Sequence, residues 1–407
     1  MTEVRTLLVT GAAGAGRTTV ATAVASAAAA AGRRTLLLTA DRLAAVAAVP
    51  GLTVGRVDPA AAFREGALDT QSRVGALLTL LGAAPLDPEE LTELPGADPL
   101  ALLRALRYAR VLPGEDDAGA GGPDTGEPDL DGVEPAPWDL VVVDLPAVRD
   151  ALRMLALPEQ LRRYLWRLLP ADRQAARALR PVLAQLAGVP MPAEWAYDAA
   201  ARADRQLAAV QRVIEDPATA VAVVVEPGAR AQEVLRTART GLALFGHRLA
   251  AVVANRLLPT GSADAFLAGL SGQQQAELKA LGEACAADGV PLVELPHLGR
   301  VPGSPADLAE LSAVPLSGGP ARPAEPWEVR DLLGSEGHFL WVLPLPGAQR
   351  DGLDLVRRGD ELVVDAGGFR RILPLPSALR RCTVQGAALR DGALHVRFTP
   401  DPAVWPH

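Results

Sequence analysis

The stretch TLLVTGAAGAGRTT, residues 6–19, decides the fold of this chain. An apolar run of strand length, residues 6–10, leads into a glycine-rich turn and then into an alanine-rich segment predicted to be helical over residues 20–31. The turn fits the pattern G-x-x-x-x-G-K-[ST] at every position except Arg17. Backbone N–H groups of such a loop, together with the start of the helix, bind a phosphate. The alternative is a strand-to-helix turn without a ligand.

The loop supplies the candidate residues for nucleotide binding. In this pattern the hydroxyl at position 18 binds Mg²⁺, and the cation at position 17 reaches the β- and γ-phosphates. Arginine does not replace lysine neutrally, because its planar fork makes different contacts. Lys279 is, however, the one lysine among 40 basic residues, so Arg17 fits a general preference of this chain for arginine. The candidates are Gly11, Gly14, Ala15, Gly16, Arg17, Thr18 and Thr19, and the expected ligands are the phosphates of a nucleotide and Mg²⁺.

A second element of such a site lies further along the chain. The apolar run 140–143 ends in Asp144. In phosphate-binding-loop proteins an aspartate at the end of a neighbouring strand holds the Mg²⁺. Asp144 is therefore predicted to hold the metal together with Thr18, and to do so through water.

Short apolar runs alternate with helical stretches up to about residue 300. Such runs are typical of strands buried on both faces of a parallel sheet, with sites at their carboxyl ends. The predicted fold is therefore α/β, with a doubly wound, mostly parallel sheet of the P-loop kind and a helical insertion. The predicted strands are 6–10, 35–39, 140–143, 220–225, 249–254 and 291–295.

Composition divides the chain into segments. Residues 1–315 are predicted to form the nucleotide-binding domain, and 316–337, rich in Pro and Gly, a linker. Residues 338–405 carry short strand candidates and hairpin-turn signals at 365–368 and 390–392, which predict a small all-β sandwich. Residues 113–137 hold eight acidic and no basic residues and are predicted to be a flexible insertion.

Residues 155–214 are predicted to form a helical subdomain. It carries a dense group of large apolar side chains that either pack in the core or form a groove for an apolar partner. These are Leu161, Tyr164, Leu165, Trp166, Leu168 and Leu169.

Several classes of protein are disfavoured by composition. The net charge is −8, as large as the acidic excess of residues 113–137, so the rest is nearly neutral and nucleic-acid binding is not expected. The isolated Cys285 and Cys382 predict neither a disulfide framework nor a cysteine-rich zinc site. Without a signal-peptide pattern or a membrane-length apolar run, we expect a cytoplasmic protein that is not integral to the membrane.

The sequence resembles the ArsA/GET ATPases, dimeric P-loop proteins related to MinD and nitrogenase iron protein. Besides the loop, residues 39–42 stand where that family has S-T-D-P in its first switch. Residues 144–159, DLPAVRDALRMLALPE, align without gaps on its second switch and the helix that follows. Residues 254–259, ANRLLP, match V-N-[QR]-L-L-P. The segments 358–364, 373–376 and 391–396 of the β-domain resemble the α-crystallin sandwich of small heat-shock proteins.

The resemblance implies roles for particular residues and partners. Asp41 would orient the attacking water in a slow ATPase, and Asn255 would read the adenine. The protein would form a homodimer whose nucleotide state controls binding of an apolar protein or lipid client through the helices of residues 155–214.

Departures from the family pattern keep a second hypothesis open. A lysine that crosses the dimer is replaced by Ala12, and the second switch, residues 144–151, lacks the hydroxyls, glycine and histidine of the family. Arg149 in that switch either assists at the phosphates or is a surface arginine. No counterpart of the metalloid-binding cysteines exists. The alternative is a catalytically degenerate pseudo-ATPase that acts as a nucleotide-binding or chaperone-like scaffold.

Overall fold

A computed structural model describes residues 5–41, 49–80, 86–92, 94, 96–110, 138–169, 194–311 and 327–405. The predicted acidic insertion, 113–137, lies outside the described residues. So does the stretch 170–193 in the middle of the predicted helical subdomain.

The N-terminal domain is built on one seven-stranded sheet whose neighbouring strands pair in parallel. The predicted doubly wound α/β fold is thereby confirmed. In chain order the strands are β1 (Thr6–Gly11), β2 (Thr35–Thr39), β3 (Leu52–Arg56), β4 (Leu140–Ala147), β5 (Thr219–Val225), β6 (Leu249–Leu257) and β7 (Leu292–Pro296). Their spatial order is β3-β2-β4-β1-β5-β6-β7. On one side of β1 the strands β5 to β7 follow in chain order, and on the other side β4 lies between β1 and β2.

Helices cover both faces of this sheet. They are α1 (Arg17–Ala30), α2 (Pro59–Leu80), α3 (Ala97–Arg110), α4 (Val148–Leu168), α5 (Glu194–Glu215), α6 (Ala231–Phe245), α7 (Ala265–Ala287) and the short α8 (Pro305–Glu310). A 3-10 turn spans Pro88–Glu90. None of the described helices has an apolar stretch long enough to span a bilayer.

Side chains of successive strand residues enter two separate cores. Leu7 and Val9 of β1 pack with α1 and α8, whereas Leu8 packs with α3, α4 and α6 on the opposite face. This alternation follows from the two-residue repeat of a strand. All three side chains are fully buried, each contributing about 1.5–3 kcal/mol. The strand sequences are uninterrupted apolar runs because helices cover both faces of the sheet.

The C-terminal β-domain, residues 327–405, consists of two antiparallel sheets, as predicted for a small all-β domain. One sheet contains β10 (Leu353–Arg358), β11 (Glu361–Ala366) and β12 (Phe369–Pro374). The other contains, in spatial order, β13 (Cys382–Arg390), β14 (Ala393–Pro400), β9 (His338–Pro344) and β8 (Glu328–Leu332). Short helical turns lie at Leu333–Glu336, Arg350–Gly352 and Ser377–Arg380.

The predicted linker, 316–337, is wrong at its C-terminal end. β8 lies within it and pairs antiparallel with β9, from Glu328 opposite Val342 to Leu332 opposite His338. The sequence of β8, EVRDL, gives no strand signal, because an edge strand with little buried surface needs few apolar residues. The predicted hairpin turns are confirmed: Gly367 and Gly368 join β11 to β12, and Asp391 and Gly392 join β13 to β14, all four at positive φ.

The two domains share a continuous apolar core. α4 and α6 lie between the parallel sheet and the β-domain, and their buried residues form one cluster with those of β9, β11, β12 and β14. The β-domain is therefore packed on the N-terminal domain through α4 and α6.

Candidate functional site

The loop between β1 and α1 adopts a conformation that requires its glycines. Gly14 and Gly16 have φ values of +77° and +87°, in the left-handed region that glycine tolerates. At Gly11 a Cβ atom would overlap the carbonyl oxygen of Val224 on β5. At Gly16 a Cβ would lie 2.5 Å from Nδ2 of Asn255. The glycine spacing in the sequence thus reflects both the turn and close contacts.

The N-terminus of α1 is open toward this loop. No side chain caps it, and no acidic residue occupies its first turn, which contains Arg17, Thr18 and Thr19. The first N–H groups of a helix lack intrahelical partners, and the helix dipole places positive charge there. The buried Ala15 precedes these groups. This arrangement suits an anion held by backbone N–H groups.

Arg17 connects the loop to the end of β4. Its Nη1 donates a hydrogen bond to the carbonyl oxygen of Leu145, at 2.7 Å. The guanidinium is therefore at the site, in contact with the residue that follows Asp144. Thr10 makes a second connection, since its hydroxyl donates to the carbonyl oxygen of Pro146, at 2.7 Å.

The structure brings together the predicted metal and catalytic residues, which come from three elements. Thr18 Oγ1 donates to Asp41 Oδ2 at 2.8 Å. Asp144 Oδ2 accepts a hydrogen bond of 3.0 Å from the hydroxyl of Thr39, the last residue of β2. The same Thr39 oxygen accepts from the backbone N–H of Asp41, at 3.0 Å. Thr39 is not among the residues predicted for the site, although it ends an apolar run two residues before Asp41, which is a usable signal.

The electrostatics of this cluster suit a cation. The pKa of Asp144 is raised, first by burial and further by the nearby charge of Asp41. Hydrogen bonds from Thr18 and Thr39 and the charge of Arg17 oppose that shift. Mg²⁺ prefers hard oxygen ligands and keeps several waters, so a hydroxyl and one or two carboxylates fit its requirements. Within the described residues no group of three or more His, Cys, Asp or Glu side chains forms a denser metal site.

Asn255 lies across the loop from this cluster. It is 4% exposed, and its Nδ2 donates to the carbonyl oxygen of Ala15 at 2.8 Å. The amide thus fixes the loop, a contact that sequence reasoning did not anticipate.

The turn after Asn255 is held in an unusual conformation. Arg256 has φ +61°, which is uncommon for a residue other than glycine. Gln274 of α7 stabilises this turn, accepting from Leu258 N at 2.7 Å and donating to the carbonyl oxygen of Arg256 at 3.0 Å. Gln274 was not predicted, because nothing local distinguishes it from its glutamine neighbours.

Arg149, at the start of α4, does not reach the loop. Its Nη1 lies 3.5 Å from the carbonyl oxygen of Gly367 in the β-domain. Of the two interpretations of Arg149, the structure favours a surface arginine, since the residue is exposed and its side chain faces the β-domain.

Comparison with known proteins assigns the family. The sequence profile described as anion-transporting ATPase matches residues 4–300, and the one described as an HSP20-like domain found in ArsA matches residues 336–398. The chain belongs to the ArsA family of anion-transporting ATPases. The loop, the cluster of Thr18, Asp41 and Asp144, and Asn255 all lie within the ATPase match.

Relatives of this ArsA-family chain include proteins without an assigned activity. An uncharacterized protein of Streptomyces coelicolor is 52% identical, with 99% of each chain covered. A protein of Mycobacterium tuberculosis is 36% identical over 66% of this chain and 65% of its own length. A protein of Aquifex aeolicus with the provisional name arsenical pump-driving ATPase 1 is 23% identical over 60% of this chain and 62% of its own length.

Proposed function

We propose that this protein binds MgATP at the loop between β1 and α1 and hydrolyses it slowly in the cytoplasm. One observation carries the proposal: an uncapped helix start and the Thr18–Asp41–Asp144 cluster meet at the same edge of the sheet. That edge holds the carboxyl ends of β1, β2 and β4, which is where ligands bind in doubly wound folds.

Each site residue has a role in this proposal. Backbone N–H groups of the loop, from Gly11 to Thr19, bind the phosphates, and Arg17 supplies the positive charge beside them. Thr18 and Asp144 hold Mg²⁺, which neutralises phosphate charge when bound. Asp41 accepts a proton from the attacking water and orients it. Asn255, already against the loop, contacts the adenine.

The fold of the loop itself provides the test of binding. In Gly16→Ala a methyl group would meet Asn255 at a φ of +87°, so the loop has to deform. Gly32→Ala is the matched control, because Gly32 has φ +86° at the other end of α1 with open space around it. Titration calorimetry with MgATP is expected to show wild-type affinity for G32A and at least a tenfold loss for G16A. Equal affinity in G16A and G32A contradicts binding at this loop.

The pseudo-ATPase scaffold is retained as the second candidate. It is favoured by the second switch, whose sequence DLPAVRDA offers no hydroxyl to a γ-phosphate. In this structure the carbonyl oxygens of Leu145 and Pro146 are already bonded to Arg17 and Thr10. The scaffold hypothesis predicts ATP binding without turnover.

The end of α4 is the proposed surface for an apolar client. Tyr164, Trp166 and Leu168 are 55%, 59% and 75% exposed, whereas Leu161, Leu165 and Leu169 are half-buried. The apolar group therefore divides between packed and exposed side chains; Tyr164 and Leu168, four residues apart, share one face of the helix, and Trp166 lies on another. We propose that nucleotide state controls access of the client to these three exposed side chains in a homodimer. Sedimentation equilibrium with and without MgATP tests the dimer, which a monomer in both states would contradict.

A further inference from the structure

The β-domain contacts α4, whose first turn forms the end of the second switch, residues 144–151. α4 starts at Val148, one residue beyond β4, whose end carries Asp144 and Leu145. A movement of the second switch therefore has to be accommodated by α4 or by what α4 contacts.

Ion pairs join α4 to the β-domain. Arg163 donates to Glu361 on β11 at 2.6 Å, and Arg167 donates to the same carboxylate at 3.2 Å. The side chains of Arg163 and Glu361 are each 23% exposed, so this pair is better shielded from solvent than a surface pair. Arg371 on β12 forms a further pair with Glu159 of α4, at 3.2 Å.

Arg371 also binds α6, which makes it the centre of the contact. Its Nη1 donates to the carbonyl oxygen of Leu244 at 2.8 Å, and its guanidinium lies 5.0 Å from the centre of the Trp327 ring. Nearby, Thr240 of α6 donates to the carbonyl oxygen of Pro346 at 3.0 Å. A guanidinium shared between two helices and an aromatic ring specifies one arrangement of the two domains.

The packing beneath these polar contacts leaves no room for sliding. A Cβ atom on Gly241 of α6 would lie 2.5 Å from Leu152 of α4 and 2.9 Å from the ring of Phe369 on β12. Phe369 also packs edge-on against Phe245 at a centroid distance of 6.2 Å. Close-packed contacts of this kind transmit a displacement instead of absorbing it.

The other end of the same segment is tied to the nucleotide loop. Arg17 donates to Leu145 O, and four residues later Arg149 reaches toward Gly367 of the β-domain. Residues 145–149 are thus held by the phosphate-binding loop on one side and by the β-domain on the other.

We propose that the β-domain holds α4 and the second switch in the arrangement in which Arg17 binds Leu145 O, so that docking of the β-domain and ATP binding oppose each other. The inference rests on the proposed binding of ATP. Phosphates at the loop compete with Leu145 O for the Arg17 guanidinium. When Arg17 turns to the phosphates, residues 145–149 lose a donor and can shift, and the ion pairs to Glu361 resist that shift. Such coupling is reciprocal, so a weaker domain contact strengthens ATP binding.

Full-length Glu361→Gln tests the coupling, with Asp365→Asn as its matched control. Both carboxylates lie on β11 and pair with arginine, but Asp365 pairs with Arg370 inside the β-domain, at 2.8 Å. Calorimetric titration with MgATP is expected to give a Kd for E361Q about fivefold or more below that of wild type, within the usual range of coupling effects. D365N is expected to match wild type.

Hydrogen exchange of the wild-type chain gives a second readout that needs no variant. MgATP is expected to speed exchange in β12, residues 369–374, and to leave β14, residues 393–400, unchanged. A Kd for E361Q equal to or above that of wild type overturns the proposal. So does an unchanged exchange rate in β12 when ATP is bound. If the wild-type protein does not bind ATP, both the proposed function and this inference fail. If it binds ATP but shows either of the two results above, only this inference fails.

Discussion

Arg17 takes the position at which P-loops carry lysine, and its contact with Leu145 O shows what arginine adds there. A lysine ammonium is a compact charge on a flexible stem, whereas the guanidinium presents several donors in one plane. Arg17 uses Nη1 to bind the backbone carbonyl of Leu145, and its other N–H groups lie in the same plane. The guanidinium is thus shared between two competing acceptors, the second switch and the phosphates.

Removing this side chain is expected to weaken ATP binding. Hydrogen bonds to charged groups contribute about 1.5–3 kcal/mol, so Arg17→Ala should raise the Kd for MgATP roughly ten- to hundredfold. Arg17→Lys, the control, keeps the charge and should bind within about tenfold of wild type. Calorimetric titration measures both. Wild-type affinity in R17A would show that the guanidinium does not contact the phosphates.

At the scale of elements, the contact among α4, α6 and β12 depends on the absence of a side chain at Gly241. Gly241→Ala inserts a methyl group between Leu152 and Phe369, and overpacking of a core costs about 1–3 kcal/mol. Gly269→Ala on α7 is the control, since nothing lies near its Cβ position and alanine favours a helix by about 1 kcal/mol. Urea unfolding should show G241A destabilised and G269A stabilised. Equal urea midpoints for G241A and G269A would mean that this contact can accommodate a methyl group.

The exposed end of α4 yields a different kind of prediction. Trp166 is 59% exposed and contacts Arg162, whose guanidinium lies 5.0 Å from its ring centre. Trp166→Ser should therefore change the free energy of unfolding by only about 0.5 kcal/mol, as most surface substitutions do. Binding of a fluorescent apolar helical peptide should nevertheless fall several-fold. Val356→Ser is the control, because Val356 is an exposed apolar residue of the β-domain, and this variant should bind the peptide as wild type does. Unchanged binding by W166S would remove Trp166 from the client site.

At the scale of the whole molecule, the parts recognised from sequence are those whose signal is local. The loop and the strand ending in Asp144 are contiguous patterns, and the central strands are apolar runs because both faces are covered. β3, β8 and β10 were not predicted, since they are strands with mixed or charged sequences and little full burial. The pairing of Arg17 with Leu145, the anchoring of Asn255 on Ala15 and the docking of Phe369 at Gly241 join residues more than a hundred positions apart. Such contacts depend on tertiary packing.

Mg²⁺-dependent ATP turnover by the purified full-length chain tests the central claim most directly. Asp41→Asn and Asp144→Ala are the informative variants, because the structure places both carboxylates with Thr18 and Thr39 at one end of the sheet. The account predicts slow turnover by the wild-type protein and its loss in both variants. Tight ATP binding without turnover by the wild type, or turnover that survives in both variants, would contradict it.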